Sequence, residues 1–471
     1  MFTSGLRDKN LILFRFKNAW GDAIMLQLII WLAVLIVLLL FCYYISDRRI
    51  ITPEILFIAG FVPQVLQAFF YIKKWEIELS DDTLAVLIFG GVLFVAASWM
   101  AAQFFKRIKR KSHVHKNRQG TLKIDKKILL AFTAFEVFTI LLTIYFLISA
   151  YGTSLQRAIY LFRAQSMVGY HGNDIEVHMP GFLRICKRVT TGSGFFWAYL
   201  LMQRIVLKSK DDRGILIANL LMSAINGFIS TGGRKGVFQL IIAALMDLYL
   251  LYGANTGWNK KIRFKTILKL ITLGFAFVGG FKIAGEAAGR TINFDFGDYL
   301  AVYLTAPLKN LDIFIRRGDF GITNISQSVS FAHLVQYLNA RGFLQPYQDS
   351  FTYNRVNGFN IGNAYTMYFS YIHDFGYSGM VIFIIFSAGL CQYLFQRIKK
   401  NSAYDIPVAT ILYSYLASNL AFSFFGNFFI TSIFDTTLIW NVLVWLGLGF
   451  IMKKRFVLKT RVRISPLKMG K

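Results

Sequence analysis

Positive charge collects at two points of the sequence where an anionic ligand could be held. Arg184, Lys187 and Arg188 have the spacing i, i+3, i+4, which places their side chains on one face of a helix. The second point is the turn 230–236, STGGRKG, whose glycines let backbone N–H groups approach a ligand. We assign three residues of this turn to the ligand: Gly232, Gly233 and Arg234.

Arginine suits phosphate because its guanidinium offers two parallel donors to one phosphate group. Any single arginine could instead contact a lipid phosphate or pair with an acid. Taken together, Arg184, Arg188 and Arg234 indicate a phosphate-bearing ligand such as a lipid-linked pyrophosphate.

Acid–base candidates lie mainly near the stretch 365–376, YTMYFSYIHDFG, which contains His373 and Asp374. His333 lies in the long segment before it. A base for a sugar hydroxyl has to come within hydrogen-bond reach of that hydroxyl, and the sequence leaves the choice among these residues open. Asp374 is equally suited to cap the helix predicted after it.

Eleven apolar runs recur along the chain, each long enough for a membrane-spanning helix or nearly so. They lie at about 23–44, 51–72, 83–105, 128–150, 181–207, 215–230, 237–253, 267–285, 376–396, 407–425 and 434–452. Apolar residues form 55% of the 471 residues and charged residues only 16%, which indicates one polytopic membrane domain over 1–471. We therefore predict an all-α integral membrane protein with about eleven (10–12) spans.

Basic segments predict the orientation of these spans, because Lys and Arg are retained on the cytoplasmic side. The loop 106–127 has ten Lys and Arg residues, and the tail 453–471 has eight, so both are expected in the cytoplasm. The segments 151–180 and 286–361 then form large outer loops, with amphipathic helices expected at 298–315 and 326–340 that could lie flat on the membrane. Eleven spans also place a basic N-terminus outside, which the same rule disfavours. We attribute the net charge of +28 to cytoplasmic loops rich in Lys and Arg, which also attract anionic lipid. The sequence contains no basic, aromatic-bearing domain of the kind that binds nucleic acid.

Two motifs resemble those of a known family. The stretch 229–246, ISTGGRKGVFQLIIAALM, followed by 362–383, GNAYTMYFSYIHDFGYSGMVIF, is similar to the Wzy-type oligosaccharide repeat-unit polymerases of bacterial O-antigen, capsule and exopolysaccharide pathways. The order of features also resembles this family: a glycine and arginine motif, a large outer loop, and a tyrosine-rich stretch ending in Asp-Phe-Gly.

The resemblance implies a GT-C-like glycosyltransferase of the bacterial cytoplasmic (inner) membrane, with its active site facing outward. It would join undecaprenyl-pyrophosphate-linked glycans without a nucleotide sugar, a metal or another cofactor, in contact with membrane lipids. A chain-length regulator and a flippase are the partners it implies. Arg184, Arg188 and Arg234 would hold the pyrophosphate, and Asp374, His373 or His333 would accept the proton.

Three other functions fit parts of the sequence. An O-antigen ligase has the same architecture with a different acceptor. A flippase or other transporter would use intramembrane charges such as Glu136 and Asp247, although the 76-residue loop 286–361 disfavours it. A scaffold without chemistry would leave the clustered cations unexplained.

Overall fold

The computed structural model describes residues 4–107, 125–165, 177–258, 295–348, 351–405 and 407–461, with the backbone alone for 4–24 and 453–461. Its first eight helices are α1 (Ser4–Ile45), α2 (Pro53–Tyr71), α3 (Asp81–Arg107), α4 (Lys126–Tyr151), α5 (Leu155–Gln165), α6 (Gly181–Val206), α7 (Arg213–Thr231) and α8 (Lys235–Asn255). The later elements are α9 (Phe296–Leu304), α10 (Ala306–Arg317), a 3-10 turn (Ile325–Gln327), α11 (Ala332–Asn339), the strands β1 (Asn354–Val356) and β2 (Phe359–Gly362), α12 (Met367–Asn401), α13 (Pro407–Leu420), α14 (Phe428–Ile433) and α15 (Thr436–Arg461).

Seven of the described helices are long and apolar enough to cross a membrane, so the chain is a helical, multi-pass membrane protein. These segments are Met25–Ile45, Pro53–Tyr71, Asp81–Arg107, Lys126–Tyr151, Arg213–Thr231, Lys235–Asn255 and Met367–Asn401.

Helices also occupy three other predicted spans, but each lacks the length or the apolar character of the seven. α6 is 26 residues long and carries several cations, α13 has 14 residues, and the apolar part of α15 is Thr436–Met452. The predicted span 267–285 lies outside the described residues. The count of eleven therefore stays a prediction.

The chain divides into two compact units. Unit 1 comprises Met1–Phe104, Asn293–Gln392 and Leu420–Thr431. Its core is aromatic: the rings of Phe57 and Phe94 stack at 4.0 Å, and Phe61 stacks on Tyr368 at 5.8 Å. α3 approaches α12 closely because residue 90 is glycine, and a Cβ on Gly90 would lie 2.4 Å from the Tyr368 ring.

Unit 2 comprises Phe105–Ile292, Tyr393–Asn419 and Ser432–Lys471. α6 packs against α4, α7, α8 and α15, and α7 packs against α4 and α8. Small residues permit this close packing: a Cβ on Gly194 of α6 would come within 2.8 Å of the Ser223 Cβ of α7. The short turn predicted between α7 and α8 is present, since α7 ends at Thr231 and α8 begins at Lys235.

The described part of the predicted long loop, 295–348 and 351–361, is folded and packed within unit 1. The helix expected over 298–315 is instead two helices, α9 and α10, which meet at Thr305 with proline in the first turn of α10. Eight of the twelve α10 residues are buried, so α10 packs within the protein and does not lie flat on a membrane. The helix expected over 326–340 begins only at Ala332, after the 3-10 turn.

Candidate functional site

A cationic cavity of about 680 Å³ lies in unit 2. All three cations of the predicted α6 face line it, namely Arg184, Lys187 and Arg188, and Lys235 joins them from α8. Asp435 is the acidic residue among the described residues that line this cavity. A cavity with four cations and one carboxylate attracts an anion, and two of its cations are arginines suited to phosphate.

A direct contact joins one of the α6 cations, Lys187, to the glycine turn. The Lys187 Nζ donates to the Ser230 carbonyl at 3.2 Å, close to the C-terminus of α7. Arg163 of α5 donates through Nη1 to the Gly232 carbonyl at 2.7 Å. The fold thus brings together the two cationic groups that lie about 45 residues apart in sequence.

The turn itself depends on glycine at position 232. Gly232 ends α7 in the left-handed region, with φ +57°, and donates its N–H to the Phe228 carbonyl. A Cβ at this position would lie 3.0 Å from the Arg163 Cβ and 3.1 Å from Ile159. Gly233 donates to the Thr231 hydroxyl at 3.1 Å and lines the cavity.

The cations of the cavity differ in how they are held. Arg184 donates to the Met179 carbonyl at 2.9 Å, and the Arg188 guanidinium lies 5.4 Å from the centre of the Trp440 ring. Arg234 is buried, with 4% of its surface exposed, while the next residue, Lys235, lines the cavity. Lys235 was not among the residues predicted from sequence, because the turn pattern does not show which of two adjacent cations faces the cavity.

Buried carboxylates in the spans of unit 2 have neutral partners. Glu136 Oε1 accepts from Ser193 Oγ at 3.2 Å, Trp197 Nε1 at 3.0 Å and Ser223 Oγ at 2.9 Å. Asp247 accepts from Ser414 Oγ at 2.6 Å. Hydroxyl and indole donors thus hold Glu136 Oε1 and Asp247 Oδ1, and no hydrogen bond from the described residues reaches the buried Glu136 Oε2. Ser223 also lines the cavity, so Glu136 braces one of its walls.

A second cavity, of about 540 Å³, lies in unit 1 and contains the predicted acid–base residue His373. Arg317, Asp319, Thr352 and Tyr365 line it as well. The cationic and the acid–base candidates from sequence therefore belong to different units of the chain.

Asp374 lies beside this second cavity with its carboxylate buried, and only 3% of the residue is exposed. Its Oδ2 accepts from Ser328 Oγ at 2.8 Å and from the Ser330 N–H at 2.7 Å. Its Oδ1 accepts from the Val329 N–H at 3.0 Å and contacts His373 Nδ1 at 2.8 Å. With both oxygens engaged, Asp374 fixes the loop 328–330 and the His373 ring, which favours a positioning role over accepting a proton from a ligand.

The chain breaks helical geometry directly after Asp374. Phe375 has φ −138° and ψ 15°, and Gly376 has φ +64° and ψ −163°, a region open essentially to glycine alone. The break frees the carbonyls of His373 and Asp374, which accept from the N–H groups of Gly321 and Ile322 at 2.9 and 3.4 Å. The Asp374 carboxylate bonds to the loop 328–330, so it does not cap the following helical segment, which was the alternative from sequence.

The structure describes two other histidines besides His373, and neither lines the second cavity. His333 is exposed on α11, His178 lines the cationic cavity, and His171 lies outside the described residues. No known protein family, curated protein or solved structure matches the chain.

Proposed function

We propose that this protein polymerises undecaprenyl-pyrophosphate-linked oligosaccharide repeat units into a surface polysaccharide. The observation that supports the proposal is the cavity that Arg184, Lys187, Arg188 and Lys235 line together. Under this proposal the protein is a GT-C-like glycosyltransferase with eleven spans in a bacterial cytoplasmic membrane, and the cavity faces outward. Its partners would be lipid-linked glycans, membrane lipids, a chain-length regulator and a flippase.

The cavity is suited to a pyrophosphate for electrostatic reasons. In polymerisation, the bond from the anomeric carbon to the pyrophosphate oxygen breaks, and negative charge develops on that oxygen. Fixed guanidinium and ammonium groups stabilise such charge without reorganisation, and each donor of this kind contributes typically about 10²–10³-fold to the rate. Arg184 and Arg188 would hold the phosphates, and Lys235 and Lys187 would add charge.

The first test deletes the gene in its own host and measures the size of the surface and lipid-linked polysaccharide. We expect single repeat units in place of long chains. Long polymer that accumulates on the lipid carrier would instead mean a ligase, and repeat units trapped on the inner face would mean a flippase.

The second test measures binding of undecaprenyl pyrophosphate to the purified protein in lipid nanodiscs. We expect Arg184→Ala and Arg188→Ala each to weaken binding by on the order of tenfold to a hundredfold, since a hydrogen bond to a charged group contributes about 1.5–3 kcal/mol. Arg157→Ala is the matched control, because Arg157 is an exposed arginine of the same unit that stacks on Tyr160. Equal affinities for all three variants would refute the phosphate site.

A further inference from the structure

Asp435 lies in the residue position directly before α15 and lines the cationic cavity. Its side chain is partly exposed, in contrast to the buried Asp374, Glu136 and Asp247. It interacts electrostatically with Lys235 of α8 and with Tyr415 of α13, two other residues of the cavity wall. A carboxylate thus faces the same space as the cations proposed to hold pyrophosphate.

The two oxygens of Asp435 have different surroundings. Oδ1 accepts from the Thr437 N–H at 2.8 Å, and the Leu438 N–H donates to the Asp435 carbonyl at 3.0 Å, as expected for the N-cap of α15. No hydrogen bond from the described residues reaches Oδ2. The cap therefore fixes the carboxylate in one orientation and leaves its second oxygen to a ligand.

Capping by itself does not require aspartate at this position. Ser and Asn cap helices about as well as Asp, so a cap alone would be satisfied by a neutral residue. Asp125 provides a comparison within the same unit: its Oδ1 accepts from the Lys127 N–H at 3.1 Å in the same position before α4.

We propose that Asp435 is the catalytic base of the cationic cavity, an assignment that rests on the proposed function. The acceptor sugar hydroxyl approaches Asp435 Oδ2 and attacks the anomeric carbon of the donor glycan. The new bond joins the hydroxyl oxygen to that carbon, and the bond from the carbon to the pyrophosphate oxygen breaks. Its electron pair leaves with the pyrophosphate, held by Arg184, Arg188 and Lys235, and the hydroxyl proton moves to Asp435.

The assignment gives the acid–base role to a residue other than the three predicted from sequence. Asp374 has both carboxylate oxygens engaged by hydrogen-bond donors, and its contacts belong to unit 1. Asp435 shares its cavity directly with the cations, within one unit. General-base catalysis requires hydrogen-bond reach of the reacting hydroxyl, and a base beside the leaving-group site meets that requirement.

The experiment compares Asp435→Asn, Asp435→Ser and the control Asp125→Asn in nanodiscs. Asn and Ser keep the cap but cannot accept the proton as a carboxylate does, so the fold should be retained. We expect both Asp435 variants to bind undecaprenyl pyrophosphate within about threefold of wild type while polymerising lipid-linked repeat units about 10²–10⁴-fold more slowly. Asp125→Asn should leave both quantities unchanged.

Three results would overturn the assignment. Polymerisation at the wild-type rate by Asp435→Asn would show that the residue only caps α15. Loss of undecaprenyl pyrophosphate binding in both Asp435 variants would place the residue in ligand binding or folding instead of proton transfer. A wild-type protein that neither binds this lipid nor polymerises would refute the proposed function itself, and the base with it.

Discussion

Replacing Asp374 by Asn exchanges one carboxylate oxygen for an amide group and tests whether this residue is a structural or a proton-transferring group. In the native protein the carboxylate accepts from Ser328, Val329 and Ser330 and contacts His373. The asparagine oxygen can replace Oδ1 or Oδ2 but not both. In either orientation, the amide group faces at least one donor that has lost its acceptor.

The expected loss of local stability follows from the number of donors that lose their acceptor. A buried donor left without a partner costs about 1–3 kcal/mol, and more where the lost partner was charged. We therefore expect a local destabilisation of about 2–3 kcal/mol for the loop 328–330. Because about 1.4 kcal/mol corresponds to a tenfold change in an equilibrium constant, amide hydrogens at Val329 and Ser330 should exchange on the order of 30- to 150-fold faster.

Hydrogen–deuterium exchange with mass spectrometry, applied to the protein in nanodiscs, measures this change directly. Asp319→Asn is the matched control, because Asp319 is exposed in the same unit and its substitution should stay within about 0.5 kcal/mol. If exchange of the loop is unchanged in Asp374→Asn while polymerisation is lost, the positioning role is refuted and a chemical role for Asp374 is restored.

Other predictions concern glycine conformation and the buried carboxylate of α4. Gly232→Ala should lower thermal stability by about 1–2 kcal/mol or more, through its positive φ and the contact with α5, whereas Gly236→Ala, which has open space, should not. Gly376→Ala should cost about 1–3 kcal/mol for a strained backbone, whereas Gly389→Ala in the same helix should stabilise by up to about 1 kcal/mol. Glu136→Ala should destabilise by about 2 kcal/mol or more by leaving Trp197 Nε1 and Ser223 Oγ without an acceptor, and Glu136→Gln should cost less because it keeps one acceptor oxygen. Thermal unfolding of the purified variants measures all three, and equal stability within any pair would contradict the corresponding argument.

The hairpin of β1 and β2 has a turn sequence that local chemistry explains. The strands β1 and β2 are joined by Asn357-Gly358, and both residues have positive φ, 49° and 77°. This dipeptide is the strongest short-range signal for a two-residue hairpin, so the hairpin could have been predicted. The start of α11 could not, because the turn 328–331 is held by the carboxylate of Asp374, more than 40 residues away in sequence.

The membrane class of the protein follows from the sequence by itself, because a span requires a run of about 20 apolar residues in one continuous stretch. The shared face of Arg184, Lys187 and Arg188 follows equally, since helical periodicity is local.

Only the tertiary structure determines which side chains of these elements come together at the cationic cavity. Packing of α5, α6 and α7 brings the glycine turn to the α6 cations and places Lys235 at the cavity while Arg234 is buried. Asp435, the residue directly before α15, lines the same cavity although it lies far from these helices in sequence. A side chain's partners across a bundle depend on the register of helices that are distant in sequence, and no local pattern of residues encodes that register.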